Sequence, residues 1–229
     1  MFISGKAAET MTEIKELFDL SKTIAAAIFD GKTYPWEVLE EIKAFILELG
    51  ATLPAEEFDH PEEGVWIAKD AKVFPSAYLG APCIIDHGAE VRHCAFIRGS
   101  AIVGKNAVVG NSVELKNVIL FDNVQVPHYN YVGDSVLGYK AHMGAGSITS
   151  NVRSDKQLVK IHEPSGDIET GRKKVGAMLG DCAEVGCNSV LNPGSVVGRG
   201  AHIYPTSNVR GVVPAGTIYK GKNNCVPRR

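Results

Sequence analysis

A large aliphatic residue recurs every six positions through the first half of the chain. Ile67, Val73, Leu79, Ile85, Val91, Ile97, Val103, Val109 and Leu115 keep the beat. Four places after each comes a mostly small residue: Ala71, Ala77, Cys83, Ala89, Ala95, Ala101, Ala107, then Val113 and Ile119. A period of six fits neither the 3.6 of a helix nor a plain strand-and-hairpin alternation. It fits a parallel β-helix, in which each hexad is a short strand plus a turn. The large residue fills the interior and the small one fits where the chain bends. Stacked coils then bury a core that no single coil could bury alone. The beat returns at Leu179, Val185, Leu191, Val197 and Ile203. A glycine count of 24 and an aromatic content of 7% suit a chain of many tight turns.

The pattern matches the hexapeptide repeat of left-handed β-helix proteins, and handedness and three hexads per coil are implied by that resemblance. The fold class expected is therefore all-β, a left-handed parallel β-helix of hexapeptide repeats with an N-terminal helical extension and an inserted loop. The extension and a linker occupy 1–64, the β-helix 65–222, a protruding loop without hexads 153–174, and a tail 223–229.

In the extension, Thr10 and Glu13 fit a capping box ahead of Ile14, Leu17, Phe18, Ile24, Ile28 and Phe29. A second helix is bounded by Pro35 and Gly50, with Val38, Leu39, Ile42, Phe45, Ile46 and Leu49 as its apolar stripe. Residues 51–64 read as a polar connector.

A net charge of −2 gives no reason to expect nucleic acid or an anionic membrane as partner. No apolar run approaches the ~18 residues of a membrane span, and the first residues lack a signal-peptide pattern. Five cysteines without a CxxC fit reduced thiols and a cytoplasmic protein.

The beat slips within residues 128–153. The step from Val132 to Leu137 is five, and Pro127 predicts a bulge or edge. On an 18-residue coil, Arg98 and Lys116 stand one above the other and point outward, because each follows its core residue. Two stacked cations repel unless an anion or a carboxylate joins them; alone they read as solvated surface charges, and together with the stretches below they read as a phosphate site. The gamma-class carbonic anhydrases share this architecture and bind zinc through paired histidines, but no such spacing is present here, so no metal is expected.

The stretches HYNYVGD (128–134), GAGSITSN (144–151) and TGRKKVGAMLGD (170–181) resemble a known family. They are similar to the acetyltransferase domain of bacterial N-acetylglucosamine-1-phosphate uridyltransferases and of archaeal sugar-1-phosphate nucleotidylyltransferases, over roughly 65–222. The resemblance implies acetyl-CoA as co-substrate, an amino-sugar 1-phosphate as acceptor, and a homotrimer with sites between subunits. It implies His128 as general base and the Ala145 backbone N–H as oxyanion donor. It assigns Arg98, Lys116, Tyr131, His142, Asn151 and the loop lysines Lys156 and Lys160 to the substrate, and Ala145, Cys187, Pro205 and Lys220 to the cofactor. An imidazole with an ordinary pKa near ~6.5 suits proton removal from an attacking amine. The ~60 residues before the repeat are too few for a nucleotidyltransferase domain, so that activity is not expected. The rival reading is a non-catalytic module that binds a sugar nucleotide or scaffolds a separate nucleotidyltransferase.

Overall fold

The computed structural model describes residues 11–221 and 224–228. Short parallel strands stack into a three-faced solenoid. Ile67 pairs with Ile85, Val73 with Val91 and Leu79 with Ile97, each eighteen positions on, as the repeat predicts. The next turn keeps the same spacing, Ile85 with Val103, Val91 with Val109 and Ile97 with Leu115. Ile85, Val91, Ile97, Val103, Val109 and Leu115 are fully buried, and the small residues from Ala89 to Ala107 line the corners behind them.

The register then shortens by one residue, earlier than the sequence alone indicates. Leu115 pairs with Ile97, but Leu120 pairs with Val103, seventeen positions on. The same five-residue step recurs from Val132 to Leu137, and the two coils stack in register. Elsewhere the left-handed backbone residue of a turn stands three places after the core residue, as at Ser100, Asn106, Ser112, Asn123, Tyr129 and Lys140. At the two shortened turns it stands two places after: Asn117 (φ 55°) and Asp134 (φ 49°). The corner is absorbed into long strands, Glu114–Leu120 and Tyr131–Leu137. Asparagine and aspartate tolerate this conformation better than most side chains do. Pro127 makes no bulge. Val126 and His128 keep one register against Val109 and Asn111. Gly110 stands opposite the proline, where a Cβ would meet the Pro127 carbonyl oxygen at 1.6 Å.

One face of the solenoid differs from the other two. Its outward positions, Ile84, Ile102, Ile119, Val136 and Met178, are apolar and fully buried. The N-terminal segment covers them. Phe18 and Phe29 close on Phe121, with ring centroids 5.1 and 5.9 Å apart. Ile42 and Ile46 are buried from the helix Ile42–Gly50, and a Cβ on Gly50 would strike the Trp66 ring at 2.5 Å. The area kept from water contributes at ~25 cal/mol per Å².

The first expected helix is broken into short turns, Ile14–Leu17, Leu20–Lys22 and Ala26–Phe29. Asp19 and Thr23 accept from the amides of Ser21 and Ala25, at 3.0 and 3.1 Å. Such local bonds compete with helical ones. Thr10 lies outside the described residues. Pro35 opens a 3-10 turn, Pro35–Glu40, ahead of the second helix. The expected connector carries a strand, Phe58–Glu62, antiparallel to Val65–Ala68. The stretch 153–174 forms a hairpin, Lys160–Glu163 with Gly166–Glu169, rather than a free loop. Val159 and Ile161 are fully buried, and backbone and side chains of this segment lie close against Gly194 and Gly211 of the solenoid. At the other end, Cys225–Pro227 pairs antiparallel with Thr217–Tyr219. All five cysteines are free thiols, and burial pushes Cys83 up to about 12, so it stays protonated. Among the described residues no helix is long and apolar enough to cross a membrane.

Candidate functional site

Two adjacent corners of the solenoid carry most of the residues singled out above. On the first, register places His128, Ala145, Cys187 and Pro205 in one column. Gln125 pairs with His142, His142 with Glu184 and Glu184 with His202, and each column member stands three places further on. Backbone bonds follow the column: Gly146 N–H donates to the His128 carbonyl at 3.0 Å, Asn188 to Ala145 at 2.8 Å and Thr206 to Cys187 at 2.8 Å. The His128 side chain is exposed, and among the described residues its ring has no hydrogen-bond partner. The Ala145 N–H likewise has no acceptor among the described residues, so an oxyanion arriving there meets a free donor.

Asn130, which sequence reasoning missed, ties this column together. It is 2% exposed and accepts from the His128 N–H at 3.1 Å. Its amide donates to the Gly144 carbonyl at 2.9 Å and to the Ser147 carbonyl and hydroxyl at 3.1 Å. One side chain thus joins the turn bearing His128 to the turn bearing Ala145. The signal was a buried-register asparagine two places after the histidine.

The second corner lies at the far end of the same face. Asp134, 3% exposed, is its centre and was also missed. Its Oδ1 accepts from Lys116 Nζ at 2.8 Å and from the Asn117 amide at 3.0 Å, while Oδ2 accepts from the Asn151 amide at 2.5 Å. Asn151 also donates to the Tyr131 hydroxyl at 3.2 Å. Burial, aided by the Asp134 charge, raises the Tyr131 phenol above its ordinary range and keeps it a neutral donor. Gly133 makes room for that ring, since a Cβ there would lie 2.5 Å from the Tyr131 hydroxyl. Arg98 pairs with Glu114 at 2.8 Å. The two cations therefore stand stacked as expected, yet each already holds a carboxylate. Asn117 donates to the Leu39 carbonyl at 2.9 Å, so the N-terminal segment buttresses this corner.

Tyr131 follows His128 by three residues across the turn of Tyr129 and Asn130. The face between the corners runs from Tyr131 to Asp134, ~10 Å of strand. Other expected residues lie elsewhere. His142 sits on the neighbouring face, with Nδ1 2.7 Å from Glu184 Oε2, in a shallow cavity shared with Asn123, Gln125 and Lys140. Lys160 pairs with Glu169 across the hairpin at 2.6 Å, and Lys156 is exposed in a turn at φ 59°. Lys220 lies over the Tyr204 ring, 5.4 Å from its centroid. Among the described residues no group of three His, Cys, Asp or Glu side chains could hold a metal ion.

Residues 79–162 match a family described as the GMPPB C-terminal domain. A bifunctional sugar-1-phosphate nucleotidylyltransferase/acetyltransferase of Sulfurisphaera tokodaii is 35% identical over 106 residues, 46% of this chain and 26% of that protein. A bifunctional protein GlmU of Methanococcus maripaludis is 35% identical over 89 residues, 39% of this chain and 21% of its own. The chain thus spans about a quarter of the length of these relatives. A putative uncharacterized acetyltransferase, YaiX of Escherichia coli, is 30% identical over 45% of both chains. Among solved structures, the acetyltransferase domain of PglB from Neisseria gonorrhoeae, in complex with acetyl coenzyme A, aligns over 72% of this chain and 57% of its own. It does so at 18% identity and a TM-score of 0.34. Repeat, register and sequence together make the chain a hexapeptide-repeat β-solenoid similar to about a quarter of a bifunctional sugar-1-phosphate nucleotidylyltransferase/acetyltransferase.

Proposed function

We propose that the chain is an acetyl-CoA-dependent N-acetyltransferase acting on an amino-sugar 1-phosphate, assembled as a homotrimer. The observation that carries this reading is the first corner: an exposed imidazole, His128, one coil below the free backbone donor of Ala145. The acceptor amine attacks the thioester carbonyl carbon, His128 takes the amine proton, and the Ala145 N–H stabilises the oxyanion. The C–S bond then breaks, and the leaving thiolate takes up a proton as CoA. Cys187, Pro205 and Lys220 continue toward the C-terminal end as the cofactor's wall. Tyr131 and Asn151 orient the sugar, with His142, Lys156 and Lys160 as further contacts supplied across subunits.

The acceptor's phosphate takes Arg98 from Glu114 and competes with Asp134 for Lys116. Arg98 is 48% exposed and its partner Glu114 34% exposed, so their bond is a weak surface one and exchanges readily. The test is thiol release from acetyl-CoA with glucosamine 1-phosphate, glucosamine and a nucleotide-linked amino sugar. Turnover that is fastest with the 1-phosphate supports the reading. Absence of turnover with every amine, together with sugar-nucleotide binding, overturns it in favour of the non-catalytic module.

A further inference from the structure

A cavity of about 310 Å³ opens between the hairpin segment and the later coils, lined by Ser150, Arg153, Asp155, His162, Asn192 and Arg210 among others. It lies on the corner that carries Arg98 and Lys116, but further along. Lys116 neighbours Gly133, and the strands before Ser150, Asn192 and Arg210 follow in turn. Four ladder steps of ~4.8 Å put Arg210 ~19 Å from Lys116, too far for one phosphate to use both.

The cavity's cations are held ready. Asp155 grips Arg153 through Nε at 2.9 Å and one terminal nitrogen at 2.6 Å, which fixes the guanidinium and leaves its other edge without a partner among the described residues. His162 Nδ1 stands 2.7 Å from Asp167 Oδ1. In the neutral ring, Nδ1–H donates to Asp167, and Nε2 turns its lone pair to Arg210 NH2 at 3.4 Å. Asp167 thereby orients His162, and His162 orients Arg210. Among the described residues no carboxylate forms an ion pair with Arg210. An oriented arginine without an ion-pair partner among the described residues, beside a fixed second arginine and the Ser150 hydroxyl, matches the donors a tetrahedral oxyanion takes.

We infer that this cavity is a second anion site that takes a phosphoryl group, separate from the Arg98–Lys116 pair. It goes beyond the acetyl-transfer reading and does not depend on His128. The phosphoryl group is either free or carried on the nucleotide end of a CoA, and the experiment separates these. Inorganic phosphate, CoA and dephospho-CoA are each titrated calorimetrically into the full chain, its Arg210→Gln variant and its Arg98→Gln variant. Arg210 is exposed, and a thermal melt checks that its variant folds as wild type does. Phosphate binding that Arg210→Gln weakens about tenfold and Arg98→Gln spares supports a free phosphate here. A loss confined to CoA, with dephospho-CoA unaffected, supports the CoA-borne phosphate. If Arg210→Gln changes none of the three affinities, or phosphate binding vanishes only in Arg98→Gln, the inference is overturned.

Discussion

His128 and Asn130 are bound to one another through the backbone: the His128 amide donates to Asn130 Oδ1 at 3.1 Å. The imidazole is therefore positioned from below by a buried amide while its ring faces solvent untouched. Replacing the ring costs the fold nothing that the described contacts show. We expect His128→Ala to lower turnover by ~10²–10⁴, the range of a lost general base, with the melting temperature little changed. Steady-state thiol release beside thermal melting measures both. A variant as active as wild type removes His128 from the chemistry.

Asn130 behaves in the opposite way. Its side chain makes one bond as acceptor and three as donor, all at 2.9–3.1 Å, the three it donates lying in the interior. Asn130→Ala takes the donor from the Ser147 carbonyl and the acceptor from the His128 N–H, at ~1–3 kcal/mol for a buried group left unsatisfied, while the Gly144 carbonyl keeps the Ser147 N–H and hydroxyl. Denaturant unfolding is expected to show a loss of that order. Turnover is expected to fall as well, because the Ala145 turn loses its tie to His128. Full stability in the variant means that other groups satisfy the Ser147 carbonyl and the His128 N–H.

Arg98 separates the phosphorylated acceptor from its plain counterpart. We expect Arg98→Gln to raise KM for glucosamine 1-phosphate about tenfold, the scale of one charge-assisted contact, and to leave KM for glucosamine unchanged. Kinetics on both acceptors decide it. An equal rise for both assigns Arg98 to holding Glu114 rather than phosphate.

Much of the architecture was legible because a repeat is a global signal. Each hexad from Ile67 to Leu115 pairs as its spacing demands, and the late run from Leu179 to Ile203 stacks the same way. The covered face was legible in principle too, as consecutive apolar pairs such as Ile84–Ile85 and Ile102–Val103. The first shortened turn was not, because Leu120 and Phe121, five and six places after Leu115, are both apolar and either could keep the beat. Nor was the pairing of Arg98 and Lys116 with Glu114 and Asp134. Spacing stacks the cations, but Asp134 reaches Lys116 only because its left-handed turn aims the carboxylate back along the edge. The hairpin's docking rests on contacts far apart in the chain, such as Glu163 with Thr12 at 2.8 Å, which no local pattern records.

Asp86 yields a prediction of pH dependence with a definite sign. It is fully buried, and Oδ1 accepts only its neighbour's amide, His87 N–H, at 2.7 Å. Oδ2 is buried without a partner among the described residues. Burial raises its pKa above the ordinary carboxylate value of 3.8, against the lowering pull of the His87 amide and Lys105. A carboxyl whose folded pKa is raised binds its proton more tightly in the folded chain. Its contribution to stability is therefore greatest below pH 3.8 and is lost as pH rises through the folded pKa. Asp86→Asn keeps the acceptor for His87 N–H and carries no charge to bury. At neutral pH we expect the variant to be more stable, because no charge is buried, although its amide nitrogen at the Oδ2 position still lacks an acceptor among the described residues. The gain should shrink as pH falls toward 3.8. Denaturant unfolding of both proteins from pH 4 to 8 measures the difference. A gain that is constant across that range, or a loss at neutral pH, means that a water or cation satisfies Oδ2 and that the carboxylate is not strained by burial.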